Sequence, residues 1–352
     1  MFSHIQKKVK IYNIDALRLS NLLNLSINSK KDKRFSFTKD KNSASIVLKD
    51  PFKNKVPHLN TNQYSNTIHN VIFLSNKKNF ASIAPEISIP KTAIFSKYNS
   101  FESNYLNLKN KFEDQRIITK PVADSVGRGI KLFDNIDNFI TYTQKSINVP
   151  NTLVVQECLD PYLIKSVDEI SNGLGKNYLN RKFDMRLYVF VSSNRHFYIS
   201  DNSFLRFSAF KYDLSESNNN IRATVLTNTG INKLVCADTN KLILCTKNWE
   251  KFQHFKPTIE TYCKLIFSNL YKHSFNQYVD LHNQNFVSIL GIDVMITHDN
   301  KVKFIEINRR PDLTFLNLSQ KKIKLNMGKE YLDFLYDEIN QTKTSDLKVK
   351  IF

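Results

Sequence analysis

The stretch GIDVMITHDNKVKFIEINRRPDL, residues 291–313, constrains this chain more than any other. Two apolar runs flank the turn-rich THDNK, so they pair as an antiparallel hairpin. Asp293 lies on the first run, and Glu306 and Asn308 lie on the second. Strand side chains alternate, so Glu306 and Asn308 share one face. A turn near Asp299 and Asn300 brings Asp293 close to Glu306, on a face otherwise lined by Ile, Val and Phe. Three converging oxygen ligands suit Mg²⁺, a hard cation content with one or two carboxylates plus substrate phosphates. The alternative is a polar, solvent-facing edge of a half-buried sheet, which alternation alone produces. Asp is disfavoured inside a β-run and two acids there need partners, which favours the metal.

A second stretch, IITKPVADSVGRGIKLF at 117–133, holds two of the chain's seven glycines. A nucleotide P-loop runs from a strand into a helix whose first amides hold phosphate. Here the residues after the loop read as strand and no Gly-Lys-Ser/Thr follows, so 124–129 is the tip of a β-hairpin. Ser125, Gly127 and Gly129 leave room for backbone amides to approach an anion, and Arg128 adds charge. Lys120, on the incoming strand, reaches phosphates lying beneath such a flap. An ordinary hairpin whose glycines satisfy the turn is the alternative.

RKFDMRLYVFV, residues 181–191, places Lys182, Asp184 and Arg186 on one face and Phe183, Met185 and Leu187 on the other. That stripe reads either as a solvated edge or as the lining of a cleft for a nucleotide and an acidic group. Arg206, in FLRFSAFKYD, and the polar LTNTGINK, with Thr227, Asn228 and Lys233, supply further donors.

The rest of the chain fits an α/β (α+β) protein of several lobes. Residues 1–95 mix short strand-like runs (KVKIYNI, ASIVLKD, NVIFLS) with a helix-like DALRLSNLLNL; NSKKDKRFSF reads as a basic surface loop. Residues 96–175 alternate helix and strand around the glycine hairpin. Residues 176–352 carry longer β-runs and two amphipathic helices, PTIETYCKLIFSNLYKHSF and KEYLDFLYDEINQ. SVDEISNGLGKN and SESNNN read as mobile loops.

Composition narrows the partners. A formal charge of +19 favours acidic partners, although an excess of Lys, Asn, Ile and Phe also fits a lineage bias. Cys158, Cys236, Cys245 and Cys263 show neither zinc nor disulfide-framework spacing, and the eight histidines are scattered. No run approaches the roughly 20 apolar residues of a membrane span, and the N-terminus lacks a signal-peptide core. The expectation is a soluble protein of a reducing compartment, without membrane insertion.

Taken together, KPVADSVGRGI, VVQECLDPYLI, KFDMRLYVFV, LRFSAFKY, LTNTGINK and GIDV…FIEINRRPDL resemble the tubulin tyrosine ligase-like family. The six motifs stand in the family's order between residues 117 and 313; the first third is similar only near IPKTAIF. The resemblance implies an ATP-grasp fold of three lobes, with the nucleotide between two sheet-containing subdomains. It implies ATP and Mg²⁺ as cofactors, with Lys120 at the phosphates under a flap containing Ser125, Gly127, Arg128 and Gly129. It further implies an adenine-binding hinge at Gln156, Glu157, Cys158 and Leu159, nucleoside contacts from Lys182 and Asp184, and ribose and phosphate contacts from Thr227 and Asn228. Asp293, Glu306 and Asn308 match the family's magnesium ligands. Arg186, Arg206 and Glu306 form the implied catalytic set, the arginines holding an acyl-phosphate or the incoming amino acid.

The implied reaction joins an amino acid, with glutamate favoured and glycine or tyrosine as alternatives, to a carboxylate of an acidic protein tail. Tubulin is the first partner implied, in a cytoplasmic, cytoskeleton-associated setting. Three departures bear on substrate choice: Val225 where the family often has histidine, Val126 for a polar flap residue, and the cationic pair Arg309-Arg310 before Pro311. The rivals are a ligase acting on another protein or a small molecule, a catalytically silent tubulin-binding relative, and a basic nucleic-acid binder. The last leaves the Asp-Glu-Asn triplet without a role, so nucleic acid is disfavoured.

Overall fold

The computed structural model describes residues 7–50, 59–68, 75–122, 129–171, 175–215, 224–227, 232, 235–236, 239–274, 285–315, 318–341 and 349–351. Among them it forms three sheets and six α-helices. The N-terminal part is a parallel sheet built from β1 (Val9–Asn13), β2 (Phe35–Phe37), β3 (Ile46–Leu48) and β4 (Tyr64–Ser65), in the order β2-β1-β3-β4. Helix α1 (Leu17–Lys30) follows β1 and buries Leu19, Leu22 and Leu23. Phe35 turns inward and Phe37 outward, so the end of the basic NSKKDKRFSF segment is an edge strand rather than a loop. A short helix α2 (Lys77–Ile83) is capped by Asn76, whose side-chain oxygen accepts from the amides of Lys78 and Asn79.

The middle sheet is antiparallel, with β5 (Thr92–Ser96), β8 (Thr152–Glu157), β6 (Ile117–Pro121) and β7 (Lys131–Phe133) in that order. Helices α3 (Phe101–Phe112) and α4 (Ile136–Lys145) cover one of its faces, each N-capped by a side chain, Ser100 and Asn135. Leu108, Phe112, Phe139 and Ile140 close a core confined to residues 93–155.

The largest sheet is organised around β9 (Phe183–Ser192). On one side lies β13 (Val287–Ile296), with β14 (Val302–Asn308) beyond it. The other side is shared by β10 (His196–Ile199) and β11 (Phe204–Phe207), flanked in turn by β15 (Val349–Lys350) and β12 (Ile243–Cys245). All ten residues of β13 are buried, as befits a strand covered on both faces, and the run continues unbroken through Gly291. Met185, Leu187 and Val189 face a core shared with helix α5 (Phe252–Ser274). Tyr188 and Phe190 face another, shared with α1, the parallel sheet and helix α6 (Leu318–Asn340). Helix α6 begins well before the amphipathic KEYLDFLYDEINQ. The loop reading of 166–177 is also corrected in part: Val167–Glu169 is a 3-10 turn with a Ser166–Glu169 capping box.

One irregularity sets the orientation of the hairpin at 291–308. Asp293 pairs with Glu306, but the next residue, Val294, pairs with Phe304, leaving Ile305 as a β-bulge. Val302 and Phe304 point into the α5 core. Strict alternation from Phe304 carries Glu306 into that core as well. The extra residue reverses the parity, so Ile307 packs inward while Glu306 and Asn308 join Asp293 on the opposite face. The apolar Ile, Val and Phe side chains of the hairpin therefore line the face away from the acids, contrary to the expectation from sequence.

Close approach of α1 and α6 depends on Gly328. A Cβ there would lie 2.5 Å from Ser26 Oγ and 3.2 Å from Leu22 Cδ1. Gly328→Val is expected to cost about 1–3 kcal/mol through overpacking. Urea unfolding followed by circular dichroism checks this: the midpoint falls with an unchanged slope.

Candidate active site

The acid face of the β13–β14 hairpin meets β9 and β11 in one row of paired residues. Asp293 stands opposite Glu306 on one side and Arg186 on the other, and Asp184 stands opposite Arg206. Arg186 donates to both carboxylate oxygens of Asp293, with Nη2 at 2.9 Å from Oδ2. Arg206 holds Asp184 in a bidentate pair, Nε to Oδ1 at 2.7 Å and Nη2 to Oδ2 at 2.8 Å, and its Nη2 lies 2.9 Å from Asp293 Oδ2. The hydroxyl of Thr227 also donates to Asp184. Asp293 is buried, and burial by itself raises its pKa. The two guanidiniums outweigh that and hold its carboxyl well below the usual carboxylate range.

Glu306 stands between an amide and an ammonium. Asn308 Nδ2 donates to Oε1 at 3.2 Å, and Lys77 Nζ lies 3.5 Å from Oε2. Lys77 begins α2, and its backbone N–H donates to Val122 O at 3.4 Å. It thus ties the end of β6 to the acid of β14. No local pattern marks it: NKKNF reads as a basic surface turn. It becomes visible only when α2 packs beside β14.

Across from this row, the middle sheet contributes Lys120. Its Nζ donates to Gln156 Oε1 at 2.6 Å, and Gln156 Nε2 donates to Thr92 Oγ1 at 3.0 Å. Burial pushes the Lys120 pKa down to about 8. The Lys77 and Lys182 ammoniums push the same way, while Glu306 and Asp293 oppose them. These five charges, drawn from three parts of the chain, share one electrostatic neighbourhood. Lys182, just before β9, donates from Nζ to Val225 O at 2.7 Å. In all, Lys77, Lys120, Lys182, Arg186 and Arg206 stand against Asp184, Asp293 and Glu306, an excess of cations suited to a polyanion.

The remaining expected residues fall into two groups. Glu157 closes β8, its Oε1 accepting from Lys91 N at 2.8 Å. Cys158 and Leu159 follow, both half-buried; burial raises the Cys158 thiol pKa, opposed by Lys182, Arg116 and Lys120. Gly129 holds the left-handed φ of 68°, where a Cβ would fall 2.6 Å from Pro121 Cγ, so the β6–β7 hairpin needs glycine there. Ser125, Gly127, Arg128 and Asn228 lie outside the described residues.

The donor set tests the case for a metal. Among the described residues no group of three or more His, Cys, Asp or Glu side chains is placed to hold an ion. Asp293, Glu306 and Asn308 instead offer two carboxylates and an amide on one face, the sparse oxygen set that suits Mg²⁺ shared with phosphates. They fit that ion and not zinc, which takes nitrogen and sulfur ligands.

Comparison with known proteins gives the same direction. The chain is 28% identical over 273 residues to a tubulin polyglutamylase of Caenorhabditis briggsae, covering 67% of this chain and 42% of that protein. It is 27% identical over 260 residues to tubulin glycylase 3D of Tetrahymena thermophila, covering 69% and 23%. A probable tubulin polyglutamylase of Homo sapiens is 24% identical over 277 residues, covering 70% and 40%. The matched region is less than half the length of each of these relatives. A model of the tubulin-tyrosine ligase family matches residues 52–344, taking in the glycine hairpin, the arginine strand and the acid ribbon. This chain belongs to the tubulin-tyrosine ligase family.

Proposed function

We propose that the chain is an ATP- and Mg²⁺-dependent carboxylate–amine ligase of the ATP-grasp type, adding an amino acid to an acidic protein tail. The observation that carries this reading is the oxygen-bearing ribbon of Asp293, Glu306 and Asn308 sharing its neighbourhood with Lys120 of a different sheet. Of the three lobes 1–95, 96–175 and 176–352, with nucleotide between the last two, the middle one is supported by its separate core of residues 93–155, while the first shares a core with the third. The relatives' names favour glutamate, then glycine, over tyrosine, and tubulin as acceptor. A net charge of +19 suits a glutamate-rich tail and a cytoskeletal setting. No helix among the described residues is long and apolar enough to cross a membrane.

The reaction has two steps. A carboxylate oxygen of the acceptor bonds to the γ-phosphorus of ATP as the bond to the bridging oxygen breaks, giving an acyl-phosphate and ADP. The amine of the incoming amino acid then attacks the acyl carbon, losing a proton as phosphate leaves. Mg²⁺, when held by Asp293, Glu306 and Asn308, neutralises charge on the phosphates. Lys120 and Lys182 place cations along the nucleotide, and the Gln156 oxygen fixes the Lys120 ammonium. Gln156 to Leu159 line the hinge, with Asp184 and Thr227 beside the nucleoside. Arg186 and Arg206 bring planar N–H forks to the acyl-phosphate, already oriented by Asp184 and Asp293. The flap expected from sequence at 124–129, most of which lies outside the described residues, would exclude water from the acyl-phosphate.

Incubation of the protein with ATP, Mg²⁺ and glutamate, glycine or tyrosine, with tubulin or a glutamate-rich peptide, tests this by mass spectrometry. Glutamyl additions to tubulin are expected; no ATP-dependent mass gain on either acceptor with any of the three would sink the reading. Glu306→Gln is expected to lower kcat by about 10²–10³-fold, followed as ADP release. Because the Lys120 pKa is pushed down to about 8, its charge is present below that pH and lost above it. Binding of a non-hydrolysable ATP analogue should therefore weaken as pH rises through about 8. Lys120→Arg, which stays protonated, should flatten the profile when calorimetry is repeated between pH 6.5 and 9.5 (approximate limits spanning that pKa).

A further inference from the structure

Arg309-Arg310, the cationic pair that departs from the family pattern, has no part in the site described above. It lines a separate pocket of about 210 Å³ between the parallel sheet and the end of the β13–β14 hairpin. Ile289, Pro311 and Leu313 give the pocket an apolar side, and Arg18, Lys49, Arg309 and Arg310 give it four cations. Three acids answer them: Asp15 and Asp50 in the lining, and Asp312, whose Oδ1 lies 3.3 Å from Arg18 Nη1. Arg310 Nη2 lies 2.9 Å from Asp50 Oδ2, and the Asp50 amide donates to Asp15 Oδ1 at 2.6 Å. Lys49 is held in place by Asn66, which accepts from its amide at 2.6 Å and donates to its carbonyl at 3.0 Å.

The first turn of α1 also borders the pocket, through Leu17, Arg18 and Leu19. No side chain caps this 14-residue helix, and its first turn contains no acid. Its leading amides add partial positive charge to a pocket that already holds more cations than acids.

The pocket adjoins the active site. Gly291 marks the shared wall: a Cβ there would lie 3.1 Å from Arg186 Cδ, 3.1 Å from Pro311 Cβ and 3.5 Å from Asn308 Cβ. Arg309 and Arg310 follow Asn308 directly in the chain, at a bend, so the pocket begins next to the Asn308 end of the acid face. In an extended peptide, side chains on one side repeat at about 7 Å.

We propose that this pocket binds the carboxylate of an acidic residue flanking the reacting one in the acceptor chain, so that the protein reads an acidic tail at two positions. The inference rests on the ligase reading for the direction in which the acceptor runs past Asn308. Arg310 is pre-oriented by Asp50, the main chain at Lys49 is fixed by Asn66, and the Arg forks suit a carboxylate. The incoming amino acid is a different source of the same group, and the test separates the two.

The probes are two labelled peptides of equal length, each with a single acceptor Glu in a Gln-rich chain. One carries Glu two residues to either side of the acceptor, the other Gln. Fluorescence anisotropy without ATP reads their dissociation constants against the full chain, the double variant R309Q/R310Q and, separately, K49Q. The wild type is expected to prefer the Glu-flanked peptide by about tenfold, and both variants should cut that preference to about threefold or less. A urea midpoint for each variant verifies folding; if the arginine variant does not fold, K49Q and the wild-type peptide pair decide. No preference in the wild type, or an undiminished one in folded variants, overturns the proposal. So does a raised KM for the free amino acid with peptide preference unchanged. If no amino acid is transferred but peptide preference still depends on these cations, the ligase reading fails and the pocket stands.

Discussion

The half-buried alternation of charge across three strands, Asp184–Arg206 and Arg186–Asp293, constrains the rest of this structure. These groups sit on strands whose other faces are packed with Met185, Leu187, Ile292 and Val294. A charge removed from water must be paired and hydrogen-bonded, and breaking such a pair leaves the other charge stranded. The pairing therefore fixes the register of β9 against β11 and β13: a slip of one residue sends an arginine into the α5 core. It also decides where the site lies. The face that carries Asp184 and Arg186 continues along β9 into Tyr188 and Phe190, where α6 and the parallel sheet cover it. The polar row occupies the part of the sheet that this apolar packing leaves uncovered.

Much of the row was legible in the sequence, because strand alternation and turn chemistry are local. The hairpin turn at Asp299 and Asn300, the shared face of Glu306 and Asn308, and the stripe of Asp184 and Arg186 all follow from periods of two. The bulge at Ile305 was not legible. KVKFIEIN reads as an unbroken strand, and nothing in it tells which parity the core will take. Lys77 was hidden for a different reason. Its partner is 229 positions later in the chain, and only the packing of α2 beside β14 brings them together. The Phe35–Phe37 edge strand was masked by the basic residues before it, which dominate a short window. In each case the missing information is tertiary. Local pattern gives the face of a strand relative to itself, whereas the core decides which face is inside.

The arrangement of cores bears on how such a site works. Lys120 and Gln156 stand on a sheet whose apolar side chains close on themselves within residues 93–155. Asp293, Glu306 and the arginines stand on a sheet anchored in two other cores. Near the site, the Lys77 amide, on a helix that packs in the large sheet's core, reaches Val122 O at the end of β6 at 3.4 Å. Downstream, the Tyr162 amide reaches Ile296 O at 2.8 Å and the His298 amide reaches Asp160 O at 3.0 Å. Each such hydrogen bond contributes about 0.5–1.5 kcal/mol.

That division has a consequence for charge. The cations of the site come from both halves, Lys120 from the middle sheet and Arg186 and Arg206 from the large one, and cations repel at close range. Three carboxylates among five cations leave this neighbourhood with an excess of positive charge. A polyanion placed among these groups would balance that excess. Glu306 sits where this balance is most sensitive, facing Lys77 on one oxygen and Asn308 on the other. The excess of positive charge is thus shared between the two halves rather than concentrated on one strand.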